Sequence, residues 1–97
     1  MSTTVVVRYQ TRPDAAEENE RLIAAVFAAL ADERPAGLQY TAYRLEDGVS
    51  FVHVAVVEGD ENPLLALPAF NEFVSGVGAR AVEGPVSATA KTVGSYG

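Results

Sequence analysis

Ninety-seven residues at 10.2 kDa are enough for one domain and too few for two, so residues 1–97 read as one unit that buries roughly 64% of its extended surface on folding. With 48% apolar and 21% charged residues, and no apolar run near the roughly 18–20 residues of a membrane span, the composition speaks against disorder and against a transmembrane protein. A net charge of -6 opposes nucleic acid and anionic membranes as partners. The absence of cysteine removes disulfides, thiolate metal sites and cysteine nucleophiles, and a single histidine, His53, leaves no histidine-based metal cluster.

The opening MSTTVVVRYQ has no basic start, long apolar stretch or small-residue cleavage site, so no secretory signal is read and the cytoplasm is the expected location. Thr3 to Gln10 is rich in β-branched and aromatic residues and predicts a first strand. Asp14 with Glu17 three residues on predicts a capping box opening a helix after Pro13. Leu22, Ile23, Val26, Phe27 and Leu30 then trace one apolar stripe to about Glu33, where Pro35 and Gly37 supply a turn.

From Leu38 to Val57 the period changes to two, broken only at Asp47-Gly48, which predicts a hairpin with a two-residue type I′ turn. That register pairs Arg44 with Phe51, Ala42 with His53, Tyr40 with Ala55 and Leu38 with Val57. One face then carries Leu38, Tyr40, Ala42, Arg44, Phe51, His53, Ala55 and Val57; the other carries Gln39, Thr41, Tyr43, Leu45, Ser50, Val52, Val54 and Val56. After the polar loop Glu58 to Asn62, Pro63 opens a helical stretch that Pro68 interrupts, and Phe70, Phe73, Val74 and Val77 form a second stripe expected to end at Gly76 and Gly78. Past Gly84-Pro85, Val86 to Val93 predicts a last strand.

The order β-α-β-β-α-β is the α+β, ferredoxin-like arrangement of a four-stranded antiparallel sheet with two helices on one face. The third strand, FVHVAVV, is apolar at both alternating sets, so both faces of the sheet need cover. Two helices cover one face, and the other is expected to meet a second copy, giving a homodimer.

Three residues are candidates for chemistry. His53 titrates near neutral pH in its ordinary state and is a candidate general base. Tyr40 and Arg44 lie diagonal to it on the same predicted face, where a phenol can orient a ligand oxygen and a guanidinium can stabilise an enolate or phenolate. The competing reading makes His53 and Tyr40 packing residues and sends Arg44 to solvent. Ser75-Gly76-Val77-Gly78 is neither a nucleophile elbow nor a phosphate loop, and the acidic pairs Glu17-Glu18 and Asp60-Glu61 read as solvated charge.

The VVVRYQTRPD start, a strand leading into a helix after a proline, and the LPAFNEF segment from Leu67 to Phe73 resemble the dimeric α/β-barrel superfamily, and within it the antibiotic biosynthesis monooxygenase-like proteins. The resemblance runs from about Val5 to Val93. It implies two ferredoxin-like subunits joining their sheets into a barrel, with a small hydrophobic or aromatic ligand entering a cleft between helix and sheet. Known members include cofactor-independent oxygenases of aromatic polyketides and haem-degrading enzymes. This chain lacks the tryptophan common near the end of the third strand, reading Val56-Val57-Glu58-Gly59, and has no histidine on the second helix, so haem degradation is not implied. The resulting expectation is a ligand-binding dimer without cofactor, acting as a cofactor-independent monooxygenase through Tyr40, Arg44 and His53. A non-catalytic binding or interaction module is the alternative.

Overall fold

The computed structural model describes residues 2–97. Strand β1 (Ser2–Thr11) leads through a 3₁₀ turn (Pro13–Ala15) into helix α1 (Ala16–Glu33). Strands β2 (Leu38–Arg44) and β3 (Ser50–Glu58) form the hairpin, a second 3₁₀ turn (Pro63–Ala66) precedes helix α2 (Pro68–Arg80), and β4 (Ala81–Ala90) follows directly. The strands lie antiparallel in the order β2-β3-β1-β4, the ferredoxin-like α+β fold.

The hairpin register is the expected one: Leu38 faces Val57, Tyr40 faces Ala55, Ala42 faces His53 and Arg44 faces Phe51. Side chains alternate across a strand, so the set containing Phe51, His53, Ala55 and Val57 turns together toward the helices, and all four are buried. From α1, Ile23 and Val26 pack onto this face with Leu22, Phe27 and Leu30 beside them; from the second helical region come Leu64, Leu67, Phe73 and Val77.

Four local expectations are corrected. The turn is wider than two residues: Leu45 N–H bonds Ser50 O at 2.8 Å, Gly48 N–H bonds Leu45 O at 3.0 Å, and of the turn residues only Gly48 has positive φ. Asp47 uses its carboxylate instead, accepting from the Val49 and Ser50 amides at 3.0 and 2.8 Å, an Asx-type bond that favours the wider loop. The capping box does not form either. Ala15 N–H closes a 3₁₀ turn on Arg12 O at 3.0 Å, which moves the helix start to Ala16 and leaves Asp14 to pair with Arg12 Nε at 3.1 Å.

Helix α2 runs through Gly76 and Gly78 to Arg80 because buried Val77 and Arg80 anchor its last turn, and tertiary packing overrides glycine's poor propensity. The last strand starts at Ala81 rather than Val86 and takes Gly84-Pro85 into itself, at a register shift opposite Arg8 to Gln10. An edge strand tolerates proline there. Gly84 has φ +83° and passes so close to β1 that a Cβ would stand 2.8 Å from Arg8 O and 3.1 Å from Tyr9 Cα.

Two glycine substitutions are therefore expected to act in opposite directions. Gly84→Ala meets both a forbidden φ and the β1 backbone, and should cost about 1–3 kcal/mol. Gly78→Ala lies inside α2 with nothing within 4 Å of its new Cβ, and should gain about 0.5–1 kcal/mol from helix propensity. Urea unfolding of the two variants beside the parent checks the sign of each.

Candidate functional site

A pocket of about 240 Å³ opens between α2 and the sheet. Its walls are chiefly apolar, from Val5 and Val7 on β1 and from Phe70, Phe73 and Val77 on α2, and one side is polar, formed by Tyr9, Tyr40 and His53. The strand registers produce that side. Val7 pairs with His53 across β1 and β3, and Ala42 pairs with His53 across β2 and β3. The imidazole therefore stands mid-sheet on the helix face, with Tyr9 and Tyr40 diagonal to it on either flank.

Both ring nitrogens are engaged. Tyr40 Oη lies 2.6 Å from His53 Nδ1, and Tyr9 Oη lies 2.9 Å from His53 Nε2. The chain of polar groups continues inward: Asn19 Nδ2 donates to Tyr9 Oη at 2.8 Å, and Arg80 Nε donates to Asn19 Oδ1 at 3.0 Å. Arg80 also donates to Phe73 O at 3.1 Å and lies over the Phe73 ring, its guanidinium carbon 5.3 Å from the ring centroid. Five side chains from three strands and both helices thus form one buried line, Tyr40–His53–Tyr9–Asn19–Arg80.

The aromatic rings fix its geometry. Tyr40 stacks on Phe27 of α1 at 5.1 Å and meets Phe70 of α2 edge-on at 6.3 Å. Tyr9 stacks on Phe51 at 5.5 Å, and Phe73 lies 5.4 Å from the imidazole. Contacts of this kind hold side chains in one orientation beyond what burial alone would.

Burial sets the protonation states. It pushes the His53 pKa down from 6.5 to about 4, so the ring is neutral at pH 7. It pushes Tyr9 up to about 12 against the opposing effects of the Asn19 hydrogen bond and the Arg80 charge, and raises Tyr40 further with help from nearby Tyr9. The polar wall is uncharged at neutral pH.

Of the three residues singled out in the sequence, Tyr40 and His53 come together on this wall. Arg44 stands apart: it bonds Gly48 O at 2.9 Å at the hairpin end and pairs with Glu17 at 3.1 Å and Glu20 at 3.0 Å on α1. The hydrogen bonds it donates to the Glu20 and Glu17 carboxylates raise its pKa, and it does not line the pocket. Sequence reasoning missed Tyr9, Asn19 and Arg80. A signal for the last two existed: Asn19 is in phase with Ile23 and Val26 on the α1 stripe, and Arg80 with Phe73 and Val77 on the α2 stripe, so each is a polar residue where the period demands an apolar one. Asn62 also lines the pocket while its Oδ1 accepts from Leu64 N–H at 3.0 Å. Among the described residues no group of three or more His, Cys, Asp or Glu side chains is placed to hold a metal ion, and no helix is long and apolar enough to cross a membrane.

Sheet order, helix placement and the pocket beneath α2 define the class: the chain has the ferredoxin-like fold of the antibiotic biosynthesis monooxygenase-like proteins. Similar solved structures include Rv0793 from Mycobacterium tuberculosis, at TM-score 0.77 and 19% identity over 100% of both chains. PA3566 from Pseudomonas aeruginosa superposes at TM-score 0.76 and 20% identity, over 96% of this chain and 95% of that one. SnoaB from Streptomyces nogalater, a cofactor-independent oxygenase, superposes at TM-score 0.65 and 27% identity over 95% of each chain. No family model matches the sequence, and a search of curated proteins finds no match.

The lowered pKa of His53 has a stability consequence of definite sign. Between about 6.5 and about 4 the unfolded chain binds more protons at this ring than the folded chain does. Its contribution to stability is therefore complete above pH 6.5 and is lost as pH falls through that window, up to about 3 kcal/mol in all. Urea unfolding at about pH 7 and about pH 5 should show a smaller acid loss in His53→Gln than in the parent. Equal losses would contradict the assignment.

Proposed function

We propose that this protein binds a small, largely apolar aromatic molecule carrying at least one oxygen, in the pocket between α2 and the sheet. The observation that carries the reading is the composition of that 240 Å³ pocket: aromatic and aliphatic walls with one uncharged polar side, Tyr40 and His53 at its centre. Such a site gains affinity from apolar burial and orientation from one or two hydrogen bonds. Phe70 and Phe73 supply the aromatic wall, and Tyr40 meets the ligand's oxygen.

The catalytic form of this reading is cofactor-independent monooxygenation, the activity named for SnoaB. A phenolic or enolic carbon acid bound with its oxygen at Tyr40 loses a proton from carbon to water in the half-open pocket. The carbanion gives one electron to dioxygen, the two radicals join as a carbon-bound peroxide, and loss of water leaves a carbonyl; dioxygen is the oxidant and the substrate the reductant. His53, weakly basic and bonded through both nitrogens, holds Tyr40 in place in this scheme. Arg44 lies outside it.

Anthrone, an aromatic carbon acid, tests both levels. Calorimetry should show saturable binding, weakened by up to about tenfold in Tyr40→Phe through the lost hydrogen bond, and an oxygen electrode should record uptake above buffer. Binding without uptake leaves the non-catalytic module; no binding removes the reading.

The second element of the proposal is a homodimer formed through the face of the sheet opposite the helices. Val6, Val52, Val54 and Val56 line that face, and Tyr43, Leu45 and Val86 on it are about half exposed. The chain exposes 6474 Å², about 1,200 Å² more than a monomeric domain of its mass is expected to show. The extended residues 91–97 contribute to that excess, and a standard interface covers about 800 Å² on each partner. Sedimentation should give a dimer at micromolar concentration, and Val54→Asp, which puts a charge on the open face away from the helix-side core, should give a folded monomer. A parent chain that sediments as a monomer contradicts the proposal.

A further inference from the structure

The buried line Tyr40–His53–Tyr9–Asn19–Arg80 has a direction, and that direction is fixed at the end farthest from the pocket. Arg80 can only donate hydrogen bonds. Its Nε therefore requires the oxygen of the Asn19 amide, which turns the Asn19 NH₂ toward Tyr9. Tyr9 Oη thus already accepts one bond. Among the described residues its own hydrogen has a single acceptor within reach, His53 Nε2 at 2.9 Å. If Nε2 carried the proton instead, the Tyr9 hydroxyl would accept twice and its hydrogen would have no partner, in a side chain only 5% exposed. A buried donor left unmade costs its full desolvation.

We infer that Arg80, Asn19 and Tyr9 act as positioning residues that hold His53 in the Nδ1–H tautomer, so that Tyr40 accepts from the ring and turns its own hydroxyl hydrogen into the pocket. Among the described residues the one partner of Tyr40 Oη is His53 Nδ1 at 2.6 Å. With that nitrogen donating, the phenol hydrogen is free for a ligand. The pocket then selects a ligand whose oxygen accepts a hydrogen bond, a ketone, quinone or phenolate, over one that offers only an N–H donor. This selectivity rests on the ligand-binding reading above; the tautomer does not.

The helix around Arg80 is built for this arrangement. A Cβ at Gly76 would stand 2.5 Å from Arg80 Nη1, so a residue with no side chain one turn back leaves the space the guanidinium fills. Arg80 closes the last turn of α2, where the carbonyl end of the helix dipole favours a cation. Among the described residues it forms no ion pair with a carboxylate. Its charge is held by dipoles, with no carboxylate to compete for its donors.

The chain has one histidine, so ¹⁵N spectra of the imidazole at neutral pH report this ring alone, and a protonated ring nitrogen resonates far upfield of a bare one. The parent should show Nδ1 protonated and Nε2 bare. Asn19→Asp supplies only acceptors at position 19, so the Tyr9 hydrogen turns toward the new carboxylate, Nε2 becomes the donor to Tyr9, and the two nitrogen signatures should exchange. A parent chain in the Nε2–H form overturns the inference, as does an unchanged Nδ1–H ring in a folded Asn19→Asp chain.

The ligand preference is read with 2-acetonaphthone, which only accepts, and indole, which only donates. Their affinity ratio should favour the ketone in the parent and shift by about tenfold toward indole in Asn19→Asp. An unchanged ratio with exchanged nitrogen signatures overturns the selectivity. If neither probe binds while the parent ring is Nδ1–H, the ligand-binding reading fails and the tautomer assignment stands.

Discussion

A guanidinium taken out of water without a carboxylate partner costs several kcal/mol unless its donors are met, and Arg80, 7% exposed, is met by Asn19 Oδ1, Phe73 O and the face of the Phe73 ring. Everything at the centre of the molecule is arranged from that contact outward. Asn19, wholly buried on α1, is held by Arg80 at the end of α2, so the two helices share a polar bond beneath the apolar stripes that join them. Through Tyr9 the same bond reaches the sheet, and through His53 it reaches β2 and the pocket.

That continuity couples folding to the site. A polar line satisfied at every member rigidifies a core and specifies one arrangement of it, and no buried side-chain nitrogen or oxygen among the described residues lacks a partner. The aromatic rings add the second constraint: Tyr40 lies between Phe27 of α1 and Phe70 of α2, so its hydroxyl is placed by both helices as well as by His53. Placement on strands and helices rather than loops gives a binding group the small positional error that recognition requires. The pocket's polar wall is therefore part of the core, and any ligand there meets groups already oriented.

The architecture was legible because its signals are periodic. The two-residue alternation of β2 and β3 gave the register that the structure shows, down to Ala42 opposite His53, and the stripes Leu22 to Leu30 and Phe70 to Val77 gave both helices. Boundaries were less legible because they are decided by contacts distant in sequence. Gly76 and Gly78 do not stop α2, since Arg80 is needed in the interior, and Gly84-Pro85 does not precede β4, since β1 pairs on both sides of the bulge. The same cause divides the candidate site. Tyr40 and His53 share a strand face that alternation reveals; Arg44 shares it too, but two acidic residues on α1 and the turn carbonyl hold it away from the pocket. Asn19 and Arg80 meet across 61 positions of sequence, and only their out-of-pattern polarity on apolar stripes marks them.

The proposed function stands or falls with the pocket walled by Tyr40, His53 and the α2 aromatics as the binding place of a small aromatic molecule. Side-chain NMR of an isotope-labelled chain during titration with anthrone tests it most directly, because the single imidazole and the Phe70 and Phe73 rings all report from that pocket. The His53, Phe70 and Phe73 ring signals are expected to move together and saturate along one binding curve, with Tyr43 on the opposite sheet face unmoved. A saturable shift confined to Tyr43 and the open face, with the His53 ring unperturbed, would contradict it.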